Sequence, residues 1–125
     1  MEFVRTFRDL HVYKLSRELS REIYELSRGF PKQEMFSLTD QIRRSSRSVG
    51  AQIAESWAKR KYQRHFVSKL TDADGEQYET IHWIEVALDC AYIRATTADK
   101  LVGQCTSIGN MLNSMILKSD SFCKH

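Results

Sequence analysis

Glu79-Thr80-Ile81-His82 is the arrangement in this chain closest to a metal-binding signature, because an ExxH spacing sets a carboxylate and an imidazole on adjacent turns of a helix. Di-iron bundles use two such motifs plus two further glutamates, since two metals need both bridging and terminal carboxylates. A single ExxH occurs here, and His11, His65 and His125 supply no second copy. No metal and no cofactor are therefore expected, and Glu79 is read as the partner of a neighbouring arginine. Cys90, Cys105 and Cys123 form no CxxC pair, and no base can be placed beside any of them. They are expected as reduced thiols, Cys90 and Cys105 as small core hydrophobes and Cys123 in a frayed tail. Phosphate-binding glycine loops, nucleophile elbows and zinc-finger spacings are absent from the sequence. The expectation is a protein that is not an enzyme.

Charge is the more informative chemistry. The net charge is only +3, yet residues 40–70 hold eight Lys/Arg against two acids, while residues 71–90 hold six acids and no Lys/Arg. Lys59, Arg60, Lys61, Arg64 and Lys69 surround Tyr62 and His65. Flexible cations beside aromatic rings suit salt-sensitive contacts to phosphate backbones without sequence preference. The stretch QIRRSSRSVGAQIAES, residues 41–56, adds Arg43, Arg44 and Arg47 to a segment that still spaces its apolar residues like a helix. Asp72, Asp74, Glu76 and Glu79 then read as a solvated acidic face that can offset the basic segment in this subunit or the next.

Positioning these residues requires helices. Val12, Leu15, Leu19, Ile23, Leu26 and Phe30 recur at spacings of three and four, which predicts a helix over about 10–29 with Asp9 as its N-cap and Gly29-Phe30-Pro31 as its stop. Tyr13 and Tyr24 flank that stripe, widening the buried face or forming a second contact surface. Leu38, Ile42, Val49, Ile53 and Trp57 predict a second helix over about 38–60, capped by Ser37 with Asp40 in the capping-box position. Arg43 and Arg47 project away from its stripe. Phe66, Leu70, Ala73, Ile81, Ile84, Leu88 and Ala91 predict a third over about 62–93, interrupted by Gln77, with Val67, Tyr78 and Tyr92 as a flanking strip. Gly75 within it points to close packing or a bend. Leu101, Cys105, Ile108, Leu112 and Met115 predict a fourth over about 98–118, capped by Thr96 or Thr97.

Short links between four such segments imply antiparallel neighbours. The predicted fold is all-α, a single domain over residues 1–125 forming an antiparallel up-down-up-down four-helix bundle. At 125 residues one core is expected, burying roughly two thirds of the unfolded surface. No run approaches the ~20 apolar residues of a membrane span, and charges break up the opening MEFVRTFRDL, so a cytoplasmic location is expected. The flanking apolar strips exceed what one core requires, which predicts self-association.

The motifs FRDLHVYKLSREL, FPKQEMFSLTDQIRRSSRSVGAQIAES and FVSKLTDADGEQYET resemble the bacterial 23S rRNA intervening-sequence protein family. They are similar also to the accessory variability proteins of diversity-generating retroelements. The ordered series Asp9-Leu10, Tyr13, Leu38, Gln41-Ile42-Arg43-Arg44, Ser48-Val49, Ile53-Ala54-Glu55, and Gly75 with Glu79 carries the resemblance, over roughly residues 7–118. It implies a cytoplasmic bundle assembling into a homopentamer, with no enzymatic activity. The retroelement relatives imply RNA or DNA, and a reverse transcriptase or another protein, as partners. The sequence departs from the family pattern at Gln52, Ser56 and Glu76, where asparagine, glycine and serine are common. On this resemblance Gln41, Arg44, Ser48, Gln52 and Glu55 form a structural polar seam meeting Glu79, with Arg44 paired to Glu55 or Glu79. Arg43, Arg47 and the cluster Lys59, Arg60, Lys61, Arg64 and Lys69 are the residues expected to contact nucleic acid. The leading expectation is an oligomeric nucleic-acid-binding protein. The alternative is a protein-interaction adaptor or scaffold that does not bind nucleic acid directly.

Overall fold

A computed structural model describes residues 4–123. The described chain is all-helical. Four long helices, α1 (His11–Ser27), α2 (Asp40–Ala58), α3 (Gln63–Asp89) and α4 (Ala95–Leu117), are followed by a single turn, α5 (Ser119–Phe122). The 3-10 turns Phe7–Asp9 and Lys32–Glu34 precede α1 and α2, and the π-helical turn Met35–Thr39 leads directly into α2. No helix among the described residues is long and apolar enough to cross a membrane.

The apolar stripes meet in one core. Leu19 and Ile23 of α1, Ile42, Val49 and Ile53 of α2, Phe66, Leu70 and Ile84 of α3, and Ile108 and Leu112 of α4 are all essentially inaccessible to water. Each such side chain contributes about 1.5–3 kcal/mol by leaving water. The α2/α3 contact is the most extensive, followed by α3/α4 and α1/α2, with α1/α4 smaller.

The helix ends depart from the sequence expectations. Asp9 does not cap α1: its carboxylate accepts the Arg5 and Thr6 backbone N–H groups at 2.9 and 3.1 Å, closing a capping box over the preceding 3-10 turn. Ser37 does not cap α2 either. Its hydroxyl donates to Glu34 Oε1 at 2.8 Å from inside the π turn, and because the backbone enters α2 already helical no N-cap is needed. Thr96 and Thr97 lie inside α4, which begins at Ala95 after extended Arg94, with no side-chain cap.

Helix α3 stops at Asp89 rather than continuing to Ile93. Ala91 is exposed at φ 60°, and the N–H groups of Ala91 and Tyr92 bond to the carbonyls of Leu88 and Ala87, a Schellman closure with alanine at the left-handed position. Gly75 makes no close contact, since a Cβ there would meet nothing within 4 Å, and α3 runs through it without interruption. Close approach is instead made by Gly50, whose Cβ would lie 3.0 Å from Ser16 Oγ, and by Gly109, whose Cβ would lie 2.8 Å from Gln77 Nε2.

Cys90 is exposed, correcting its assignment to the core, because it lies at the end of α3 rather than within it. Cys123 is buried, since α5 folds the tail back: Phe122 stacks on Phe66 at 5.8 Å and Gln63 donates to Ser119 Oγ at 2.7 Å. Lys124 and His125, the rest of the tail expected to fray, lie outside the described residues.

Candidate nucleic-acid interface

The polar seam is held between α2 and α3. Arg44 reaches across to Glu79 at 2.5 Å and to Glu76 at 3.4 Å. Ser48 donates to Glu76 at 3.0 Å, and the Trp83 indole donates to Glu79 at 3.1 Å. Burial works to raise the Glu79 pKa, but the Trp83 and Arg44 hydrogen bonds outweigh it and hold the carboxyl below its ordinary value. Glu79, then Glu76, stabilises the Arg44 cation in turn and moves its pKa upward. Glu55 pairs not with Arg44 but with Lys69, at 3.1 Å, and Lys69 also donates to Gln52 at 3.3 Å. Gln41 sits half-buried at the margin and makes no side-chain hydrogen bond among the described residues. Glu76, one of the departures from the family pattern, is thus a working member of the seam.

The cations expected to bind phosphate do not form one surface. Lys69, only 26% exposed, is committed to the seam. Arg43 donates from Nε to Ser27 Oγ at 2.7 Å and lies 4.6 Å from the centroid of the Tyr24 ring, and Arg47 lies 5.4 Å from the same ring. Both therefore belong to the α1/α2 face.

The remaining four stay together where α2 turns into α3. Lys59, Lys61 and Arg64 are exposed, as are Tyr62 and His65, whose rings lie 5.4 Å apart. Arg60 donates to the Trp57 carbonyl at 2.8 Å and lays its guanidinium 3.6 Å over the Trp57 ring, which fixes that planar cation at the edge of the cluster. Lys61 hovers 5.8 Å from the Tyr62 ring. No ion pair engages Lys59, Arg60, Lys61 or Arg64 among the described residues. Four cations close together at this turn, with aromatic rings between them and no carboxylate partner, form an anion-accepting surface.

A second basic feature was not visible as a unit in the sequence. Between α1 and α2 lies a groove of about 590 Å³, lined by Tyr13, Arg17, Arg21, Tyr24, Arg47 and Ala51 among others. Its walls come from two different helices, so neither the periodicity of one helix nor local charge counting could assemble it. The placement of Tyr13 and Tyr24 on the flank of the α1 stripe, and of Arg47 away from the α2 stripe, was the available signal.

The Glu79–His82 pair offers no metal centre as arranged. The Glu79 carboxylate is taken by Arg44 and Trp83, His82 lies edge-on to Trp83, and no group of three or more His, Cys, Asp or Glu among the described residues is placed to hold a metal ion.

No curated protein matches the chain. Among solved structures, it is similar to a crystal structure of a protein of unknown function from the S23 ribosomal protein family of Bacteroides thetaiotaomicron VPI-5482. The two are 30% identical, and the match covers 84% of this chain and 97% of the other, with a TM-score of 0.76. Residues 8–114 match the family model described as 23S rRNA-intervening sequence protein. This chain belongs to that family.

Proposed function

We propose that the protein is a non-enzymatic, oligomeric nucleic-acid-binding protein that holds RNA or DNA backbones through the α2–α3 turn. One observation carries the reading: Lys59, Arg60, Lys61 and Arg64 stand together beside Trp57 and Tyr62 without an ion-pair partner among the described residues. Backbone phosphates are the ligand such a surface suits, because flexible unpaired cations neutralise them and the rings accept bases.

An up-down-up-down bundle is supported by the close pairs Ser27–Arg43 with Ser16–Gly50, Arg44–Glu79 with Gln52–Lys69, and Gln63–Ser119 with Gln77–Gly109, since within each set one chain number rises as the other falls. Assembly into a homopentamer, in which the turn would be repeated around a ring and gain avidity, follows from the resemblance to the retroelement accessory proteins. That resemblance also suggests a reverse transcriptase as a protein partner. The free cysteines suit a cytoplasmic location.

The test is fluorescence anisotropy with labelled single-stranded RNA and DNA over a range of salt. Each phosphate that a cation neutralises on a single strand contributes roughly 0.7 to the log–log salt slope. Replacing Lys59, Lys61 and Arg64 by glutamine is therefore expected to weaken binding and to flatten that slope by about 2. An unchanged affinity and slope would overturn the assignment. An adaptor role is the second reading, favoured by Phe36, 89% exposed next to the partly exposed Met35. A specific protein retained by the wild type after nuclease treatment, and released by Phe36→Ser, would favour it.

A further inference from the structure

Two surfaces on different helices, a groove and an exposed helical ridge, carry opposite charge. The first is the α1/α2 groove. Its floor is made of small residues, Gly50, Ala51 and Ala54, and its walls carry Tyr13 and Tyr24. Arg17, Arg21 and Arg47 stand along it, and none has an ion pair among the described residues. Arg17 donates only to the Tyr13 hydroxyl, at 2.9 Å, and Arg47 meets only the Tyr24 ring. Glu25, the carboxylate lining the same groove, is taken by Arg28 at 3.3 Å. The groove therefore presents uncompensated positive charge over an aromatic and small-residue floor.

The second surface is the outward ridge of α3. Asp72, Gly75, Tyr78, His82, Glu85 and Asp89 follow one another at helical spacing, and all are exposed. Tyr78 stands out from the ridge at 63% exposure, next to a bare spot at Gly75. Glu85 and Asp89 have no ion pair among the described residues, and Asp72 has only Lys69 at 4.0 Å. Spaced four residues apart on a helix, Glu85 and Asp89 are about 6 Å apart along the axis, the same interval that separates Arg17 from Arg21.

We infer that the α3 ridge of one copy seats in the α1/α2 groove of the next, running antiparallel to α1, with Glu85 meeting Arg21, Asp89 meeting Arg17 and Tyr78 entering beside Tyr24. This rests on the reading of the protein as self-associating and supplies the interface for it. Both surfaces are unfilled in the single chain, and one contact satisfies them together, as a ridge packed into a groove. Because the two surfaces differ, the contact is heterologous: each copy gives a ridge and receives one, so the assembly closes into a ring or extends as a filament rather than stopping at a two-fold dimer. Being built on partly exposed charges, it weakens with salt. It leaves the α2–α3 turn free for nucleic acid.

The experiment is charge exchange read by light-scattering mass at low and high salt. Arg21 and Glu85 are exposed and carry no intramolecular ion pair among the described residues, so reversing either leaves the core untouched; helicity by circular dichroism verifies this. The wild type is expected at a multiple of 14.6 kDa. Arg21→Glu and Glu85→Arg each place like charges face to face and should drop the mass to that of one chain. The double variant restores opposite charges and should recover assembly, which a mere folding defect would not do. A wild-type oligomer unaffected by either reversal, or single variants not rescued by the double, would overturn the interface while leaving self-association standing. A monomeric wild type would overturn both.

Discussion

Replacing Ala91 by glycine should stabilise the protein, although the apolar periodicity places Ala91 inside a helix. In the structure its φ is 60°, at the left-handed position that closes α3. For a residue with a Cβ that conformation costs about 1–2 kcal/mol. Glycine removes the clash but has about 0.5–1 kcal/mol more backbone entropy to lose on folding, which leaves a gain of about 0.5–1 kcal/mol. An unfolding entropy of about 2.1 cal/mol/K per residue over 125 residues converts this into a rise in Tm of about 2–4 °C. Valine, whose branched Cβ tolerates positive φ least, should lower it. Thermal melts by circular dichroism at one fixed protein concentration test the order Gly above Ala above Val. In a helix interior alanine would rank highest and glycine would lose about 1 kcal/mol. A melting temperature lower for Ala91→Gly than for the wild type would therefore refute the placement of the α3 terminus.

Thiol chemistry offers a second check. Burial pushes the Cys105 thiol up to about 12 and raises that of Cys123 as well, while Cys90 is exposed, so a disulfide reagent should titrate one thiol quickly in the native protein and three after denaturation. Fast native labelling that persists in Cys90→Ser would contradict the docking of α5. Acid stability is the third. Glu22 accepts hydrogen bonds from Gln104 and Lys100, which hold its pKa below the ordinary 4.5, so its contribution is complete above that value and fades as pH falls through the lower folded one. Urea midpoints between neutral pH and pH 3 should fall less steeply for Glu22→Gln, and parallel curves would remove Glu22 from the acid response.

What was legible in the sequence was what repeats. Stripes such as Leu19–Ile23 and Ile108–Leu112 reveal helices because burial imposes the 3.6-residue period, whereas the pairing of Arg44 came within reach through the family resemblance, which left Glu55 open beside Glu79. Ends were less legible. Asp9, Ser37 and Thr96 have the right chemistry for caps, but neighbouring turns claim or bypass them, and propensity does not distinguish a cap used by a 3-10 turn from one used by an α-helix. Pairing across helices was legible only in part. Lys69 looked like one more cation of the basic cluster, yet Glu55 and Gln52 stand opposite it, and only the relative rotation of α2 and α3 decides that. The α1/α2 groove was the least legible of all, since its arginines belong to two helices and only the fold makes them neighbours.

The π turn at Met35–Thr39 bears on how this chain tolerates changes in length. Relative to an α ladder, it holds one residue more before α2 takes up its regular course. One residue corresponds to about 100° of helix rotation, enough to swing Leu38, Ile42 and Val49 out of the core if it were passed along α2. By absorbing the surplus on the spot, the turn confines the slippage to the exposed Met35, Phe36 and Ser37 while Leu38 and Thr39 remain buried. The connection between α1 and α2 can thus lose a residue there, the π turn reverting to an α ladder, with the phase of the helix beyond it unchanged.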